Sequence, residues 1–140
     1  MAKRTKITTI QVKGKVFSGS GEGAKFVSLP WVKRQITEKL NFTPYNGTLN
    51  IRLDKESATI KKRVMSRANA MKIIPQKGFC HGKLFKAVFM NKLECAVVIP
   101  EVEGYPEDMI EIVAPVNLRE KFQLKDGDTV KVVILTNTLR

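Results

Sequence analysis

Residues 83–99, Lys83-Leu84-Phe85-Lys86-Ala87-Val88-Phe89-Met90-Asn91-Lys92-Leu93-Glu94-Cys95-Ala96-Val97-Val98-Ile99, decide the fold class. Two short apolar runs, 83–90 and 94–99, are parted at Asn91-Lys92, and each reads as a strand. The spacing of Phe85 and Phe89 suits core packing better than a stacking platform for bases. Working outward, Gln11–Phe17 sets Val12, Gly14 and Val16 against Lys13, Lys15 and Phe17, and Leu49–Leu53 alternates in the same way. Met71–Ile74, Met109–Val113 and Thr129–Leu135 add further strand candidates. Two short helices are expected. In one, Val32, Ile36 and Leu40 step by four behind a Ser28 cap and Pro30, and Asn41–Pro44 ends it. In the other, Asn117 and Glu120 have the capping spacing and the helix runs through Phe122. Residues 54–69 are polar, with at most one helical turn around Val64 and Ala68. No internal repeat is present. Six or seven short strands with two short helices imply a mainly β, compact barrel.

The chain has 140 residues, of which 43% are apolar and 27% charged. That is ordinary for one globular domain with a real core and excludes a disordered or membrane-spanning reading. Residues 1–11 are expected to be a flexible basic tail, and 12–140 a single barrel domain. The start, Met1-Ala2-Lys3-Arg4, has no apolar stretch behind it, so no secretory signal is expected. With only Cys80 and Cys95, a disulfide framework is not expected, and the cytoplasm with reduced thiols is the default.

The 25 Lys and Arg against 13 Asp and Glu give a net charge of +12. The charge is uneven: residues 55–92 hold ten bases and one acid, and residues 94–111 hold six acids and no base. Such a chain attracts phosphate, whether in a nucleotide or a nucleic acid, unless the lysines simply form a solvated face.

Several residues are candidates for chemistry. Gly19-x-Gly21-x-Gly23 after a strand lets backbone N–H groups approach an anion, although a flexible connection is the alternative. The loop lacks the Gly-Lys-Ser/Thr ending of a P-loop and the immediate helix of a dinucleotide fingerprint. Thr48 and Asn50 point to the same face of a strand. They would suit Mg²⁺ with its remaining ligands from water and phosphate, or Thr48 merely caps the Asn46-Gly47 turn and Asn50 sits outward. Glu111 sits between Ile110 and Ile112 and is either solvated or aimed into a site. Arg119 lies in the first turn of the short helix, beside free N–H groups. His81 is the only histidine, so neither a histidine-based metal site nor a Ser/His/Asp or Cys/His arrangement is expected.

Four motifs in order resemble one family. Val16-x-Ser18-Gly19-x-Gly21-Glu22-Gly23, Pro44-Tyr45-x-Gly47-Thr48-Leu49-Asn50, Ile110-Glu111-Ile112-Val113-Ala114-Pro115-x-x-Leu118-Arg119 and Leu124-x-Asp126-Gly127-Asp128-x-Val130 look like the archaeal CTP-dependent riboflavin kinases. The resemblance runs from about residue 12 to 134. It implies a six-stranded cradle-loop β-barrel and transfer of the CTP γ-phosphate to the riboflavin 5′-hydroxyl, giving FMN and CDP. By position, it implies that Gly19, Ser20, Gly21, Glu22, Gly23 and Ala24 wrap the nucleotide together with Val116, Asn117, Leu118 and Arg119. Thr48 and Asn50 would hold Mg²⁺. Glu111 would face the ribityl end of the flavin and accept the hydroxyl proton. Glu103 stands where some family members have a flavin-contacting Thr; it could accept a ribityl hydrogen bond but would repel the FMN phosphate. Some relatives carry an N-terminal winged-helix domain, which the first eleven residues are too few to form. The expected enzyme is a cytoplasmic monomer that binds neither membrane nor nucleic acid. The competing reading is a basic barrel that regulates by binding nucleic acid without catalysis. The two readings separate on whether Thr48, Asn50 and Glu111 converge.

Overall fold

A computed structural model describes residues 5–19, 21–65, 70–76 and 81–139. The elements in chain order are β1 (Thr5–Phe17), α1 (Glu22–Ser28), α2 (Pro30–Leu40), β2 (Leu49–Leu53), α3 (Lys55–Met65), β3 (Met71–Ile73), β4 (Gly82–Phe89), β5 (Leu93–Pro100), β6 (Met109–Val113), α4 (Leu118–Phe122) and β7 (Thr129–Leu139). The sheet order is β3-β4-β5-β6-β2-β1-β7, and β4 pairs again with β7 through Ala87–Phe89. That second pairing closes β4, β5, β6, β2, β1 and β7 into an antiparallel six-stranded barrel, with β3 as an outer strand. The expected fold class holds.

Period-two alternation builds the barrel. Val12, Val16, Leu49, Ile51, Phe85, Phe89, Ile110, Ile112, Val132 and Ile134 point inward and pack as one apolar core. A second core lies outside the wall. There Val27, Trp31, Val32 and Ile36 from α1 and α2 cover Ile73, Leu84, Ala96, Val98 and Val113. This outer layer explains why β6 is apolar at nearly every position: both of its faces are covered.

Three expectations need correction. First, residues 5–11 are not a loose tail: Thr5 to Gln11 pair with Leu139 to Val133 in the β1–β7 ladder. Second, the described residues form four helices rather than two. Helix α1 begins inside the stretch expected as loop, with Gly21 at its N-cap in the left-handed region (φ 84°). Helix α3 runs for 11 residues where one turn was expected, and Asp54 Oδ1 caps it by accepting from Ser57 N (2.8 Å). Its buried stripe is Ser57, Lys61 and Met65, so hydropathy concealed an ordinary four-residue period. Ala68 lies outside the described residues. Third, Ser28 does not cap α2. It is the last residue of α1, its Oγ donates to Lys25 O (2.7 Å), and Leu29 is the N-cap before Pro30. Helix α4 matches its expected cap, with Asn117 Oδ1 accepting from Glu120 N (3.2 Å).

Candidate active site

The site grows from the register of β2 on β6. Asn50 lies directly across from Glu111, while Leu49 and Ile51 face Ile112 and Ile110. Alternation therefore sends the leucine and isoleucines into the barrel and pushes Asn50 and Glu111 out through the wall together. Thr48, two residues before Asn50, projects on the same side. Helix α1 covers this outward face, so Glu111 is only 4% exposed.

A buried carboxylate needs partners, and Glu111 has them on both oxygens. Thr48 Oγ1 donates to Oε1 (3.2 Å), and Tyr105 OH donates to Oε2 (2.9 Å). The Asn50 amide, turned so that its donors meet acceptors, gives Nδ2 to Glu111 Oε1 (3.1 Å) and takes Gly19 N–H on Oδ1 (3.0 Å). One asparagine thus joins the glycine segment to the carboxylate. Gly23 packs its backbone against the same cluster. A Cβ there would run into the Glu111 carboxylate and stand 2.8 Å from Thr48 Oγ1, so only glycine fits. Gly19 is held in the same way against Asn50, whose Cγ would lie 2.9 Å from an added Cβ.

Two cavities meet at this cluster. The larger, about 460 Å³, is lined by Gly19, Gly21, Gly23, Asn50 and Glu111 on one side and by Glu103, Tyr105 and Pro106 of the β5–β6 connection on the other. The smaller, about 130 Å³, is lined by Tyr45, Gly47, Thr48 and the segment Val116, Asn117, Leu118 and Arg119. The two segments expected to share a nucleotide therefore line different cavities, which adjoin where Thr48 meets Glu111. They are tied together at the surface. Arg119 Nη2 pairs with Asp126 Oδ1 (2.8 Å) and donates to Phe17 O (3.3 Å), while Ser18 Oγ donates to Asp126 Oδ2 (2.9 Å). Hydrogen bonds from Arg119 and Ser18 hold the Asp126 carboxyl below its ordinary range. Arg119 thus has a local carboxylate partner and is not an unoccupied cation.

Among the expected site residues, Glu111, Thr48, Asn50, Gly19 and Gly23 come into one cluster, and Gly21 and Glu103 line the cleft beside it. Ser20 lies outside the described residues. Glu22 and Ala24 fall in the first turn of α1. Among the described residues no three His, Cys, Asp or Glu gather as a metal-ligating group. Burial pushes the Cys95 thiol up to about 12, which removes it as a nucleophile.

Tyr105 is the residue that sequence reasoning missed. It stands in a Gly- and Pro-rich loop six residues before Glu111, at a spacing with no period to recommend it. Burial first, and then the adjacent Glu111 charge, raise the Tyr105 phenol well above its usual range, so it stays a protonated donor.

Comparison with known proteins finds matches along most of the chain. Residues 16–134 match the family model CTP-dep_RFKase, described as domain of unknown function DUF120. The chain is 42% identical over 130 residues to a riboflavin kinase of Archaeoglobus fulgidus, covering 91% of this chain and 55% of that protein. It is 46% identical over 136 residues to a riboflavin kinase of Pyrobaculum aerophilum (92% and 62%) and 41% identical over 131 residues to one of Ignicoccus hospitalis (89% and 71%). The chain thus spans between about half and two thirds of the length of the first two relatives. With the family match running from the end of β1 into β7, this chain belongs to the CTP-dependent riboflavin kinase family.

Proposed function

We propose that this protein is a riboflavin kinase that moves the γ-phosphoryl group of CTP to the riboflavin 5′-hydroxyl, releasing FMN and CDP. One observation carries the reading. Thr48 and Asn50, both half-buried, come together with the buried Glu111 in a hydrogen-bonded cluster at the junction of two cavities. A nucleic-acid-binding regulator has no need of that convergence, and phosphoryl transfer does. The family name supports CTP as donor, and the names of the relatives support riboflavin as acceptor.

The larger cleft, with Phe17, Phe26 and Tyr105 in its wall, suits a flat aromatic ring system. Glu103 at its rim can accept from a ribityl hydroxyl. The smaller cavity and the Val116–Arg119 segment offer the nucleotide a polar wall, and the first turn of α1, Glu22 to Ala24, has backbone N–H groups without helical partners beside the cluster. Glu111 takes the proton from the 5′-hydroxyl as its oxygen bonds to the γ-phosphorus, and the bridging P–O bond breaks to leave CDP. Positioning and charge neutralisation dominate such a transfer, which matches two cavities lined, among the described residues, by no Ser, Cys or His.

Mg²⁺ fits the donor set. Thr48 Oγ1 and the Glu111 carboxylate are hard oxygen donors within a hydrogen bond of each other, and the Asn50 amide, whose nitrogen meets Glu111 and whose oxygen meets Gly19 N–H, would turn its oxygen to a cation that keeps sites for phosphate and water. Thr48 and Asn50 would hold it, and its chemistry would be neutralisation of the β- and γ-phosphate charge. No helix among the described residues is long and apolar enough to cross a membrane. With Cys95 a free thiol, a cytoplasmic enzyme is the proposed setting. The test is direct: incubate the protein with riboflavin, CTP and Mg²⁺ and follow FMN by chromatography, with ATP-for-CTP and EDTA arms. FMN with CTP and none with EDTA supports the reading; riboflavin left unchanged in every arm overturns it.

A further inference from the structure

The β5–β6 connection, residues 101–108, forms one wall of the larger cleft and is exposed along Glu101–Gly104. Within it the backbone hydrogen bonds are Tyr105 N to Val102 O (3.2 Å) and Met109 N to Pro106 O (3.3 Å), and at its ends Glu101 N donates to His81 O (2.8 Å) and Leu53 N to Asp108 O (2.7 Å). Where it re-enters the barrel, a lysine from a different element grips it. Lys61 of α3 is only 9% exposed, and its Nζ donates to Glu107 O (3.1 Å) and Met109 O (3.0 Å). The same ammonium lies 5.6 Å from the centroid of the Tyr105 ring, within cation–π range. Tyr105 in turn holds Glu111 Oε2, leaving Oε1 to Thr48 and Asn50.

A glutamate's terminal torsion is broad and nearly two-fold, so a carboxylate held on one oxygen alone samples other orientations. Burying a lysine is costly, and burial does lower the Lys61 pKa against the opposing pull of Glu107 and Asp108. A lysine kept there despite that cost, spending two of its three donors on backbone carbonyls beside the site, acts as an anchor.

We propose that Lys61 and Tyr105 form a strut from α3 to the active site, in which Tyr105 is the positioning residue that decides which Glu111 oxygen faces the transferred group. The proposal rests on the kinase reading above for its catalytic half and on geometry alone for its mechanical half. Lys61 lines neither cavity; it acts through the loop and the Tyr105 ring.

The experiment uses Tyr105→Phe, Lys61→Met and the double variant. Tyr105→Phe should lower kcat for FMN formation about 10- to 100-fold, the range a hydrogen bond to a charged group represents. KM for CTP should stay within about twofold of wild type. Lys61→Met should move kcat in the same direction, and the double variant should be no worse than the weaker single one, because both act through one carboxylate. A purely structural role would lower Tm in all three and leave kcat per folded molecule unchanged. Multiplying losses, or an unchanged kcat in either single variant, would overturn the proposal. A second measurement needs no activity. Hydrogen exchange of the 101–109 amides in the ligand-free protein should speed up about tenfold or more in Lys61→Met, while the β1–β7 ladder stays protected. Unchanged exchange overturns the strut. A wild type that makes no FMN removes the kinase reading and the positioning half with it, and exchange still decides the strut.

Discussion

The two faces of β2 and β6 are one strand pair used for opposite purposes. On the inward face Leu49, Ile51, Ile110 and Ile112 are between 0% and 5% exposed and do nothing but pack. On the outward face Glu111 is as well buried and Asn50, directly across from it, is half-buried, and the two are linked by a hydrogen bond. A shift of one residue in register would exchange the two faces, so the core that fixes the register also fixes the site. Adjacent residues should therefore fail in different ways. Outward substitutions should remove activity and spare stability, and inward ones should do the reverse.

The largest effect is expected from Thr48→Ala combined with Asn50→Ala. Both side chains are small and polar, so the fold should persist while FMN formation falls below detection. Near wild-type FMN from that double variant would remove the metal-holding role from these two residues. Next comes Glu111→Gln, which keeps size and a carbonyl acceptor. Its rate at saturating riboflavin and CTP should drop about 10²–10⁴-fold, with the CTP dissociation constant little changed. A drop below about threefold would leave positioning alone to carry the reaction.

On the inward face, Ile51→Ala should cost about 2–5 kcal/mol in denaturant unfolding, since a fully buried side chain leaves a cavity that the barrel cannot collapse. Its kcat per folded molecule should match wild type, and a large fall in kcat would break the division between the faces. Gly21→Val tests the cap of α1. Its φ of 84° is strained for a β-branched residue, which should cost about 1–3 kcal/mol and weaken nucleotide binding. An unchanged nucleotide dissociation constant in the folded variant would detach the glycine segment from binding.

The smallest effect is expected at exposed Asp126. Its carboxyl is depressed below 3.8 by Arg119 and then Ser18. A depressed acid stabilises the fold above its unfolded pKa, and that contribution fades as pH falls through the folded value. The Tm difference between wild type and Asp126→Asn should thus be present at pH 7 and disappear as pH drops below about 3.8. A difference that grows on acidification would contradict the Arg119–Asp126 pairing.

Most strands were legible because each has one face in the barrel, and period two survives wherever the other face is wet. The helices were harder. Helix α3 hides its buried stripe behind Ser57 and Lys61, which earn burial by hydrogen bonds to Lys13 N and to the Glu107 and Met109 carbonyls. Helix α1 starts with glycines, which propensity assigns to loops; here Gly23 is required by close approach to Glu111 and Thr48, and Gly21 by its left-handed φ. The face of Glu111 could not be read, since its neighbours are apolar on both sides and only pairing with Asn50 reveals its direction. Tyr105 left no periodic trace, because a loop residue's contact is set by tertiary position.

The β1–β7 ladder runs from Thr5↔Leu139 to Lys15↔Thr129 and joins the first strand of the chain to the last. Synthesis proceeds from the N-terminus, so β1 leaves the ribosome long before its partner exists. Until then Ile10, Val12 and Val16 belong to a strand with an open edge, the kind of surface that captures other nascent chains. The alternate residues on that strand, Gln11, Lys13 and Lys15, are exposed and polar, and two of them carry the positive charge that discourages edge-to-edge pairing. Closure must wait until β7 has been made, and contacts this distant in sequence place barrel completion in the slow, millisecond-to-second class of folding reactions.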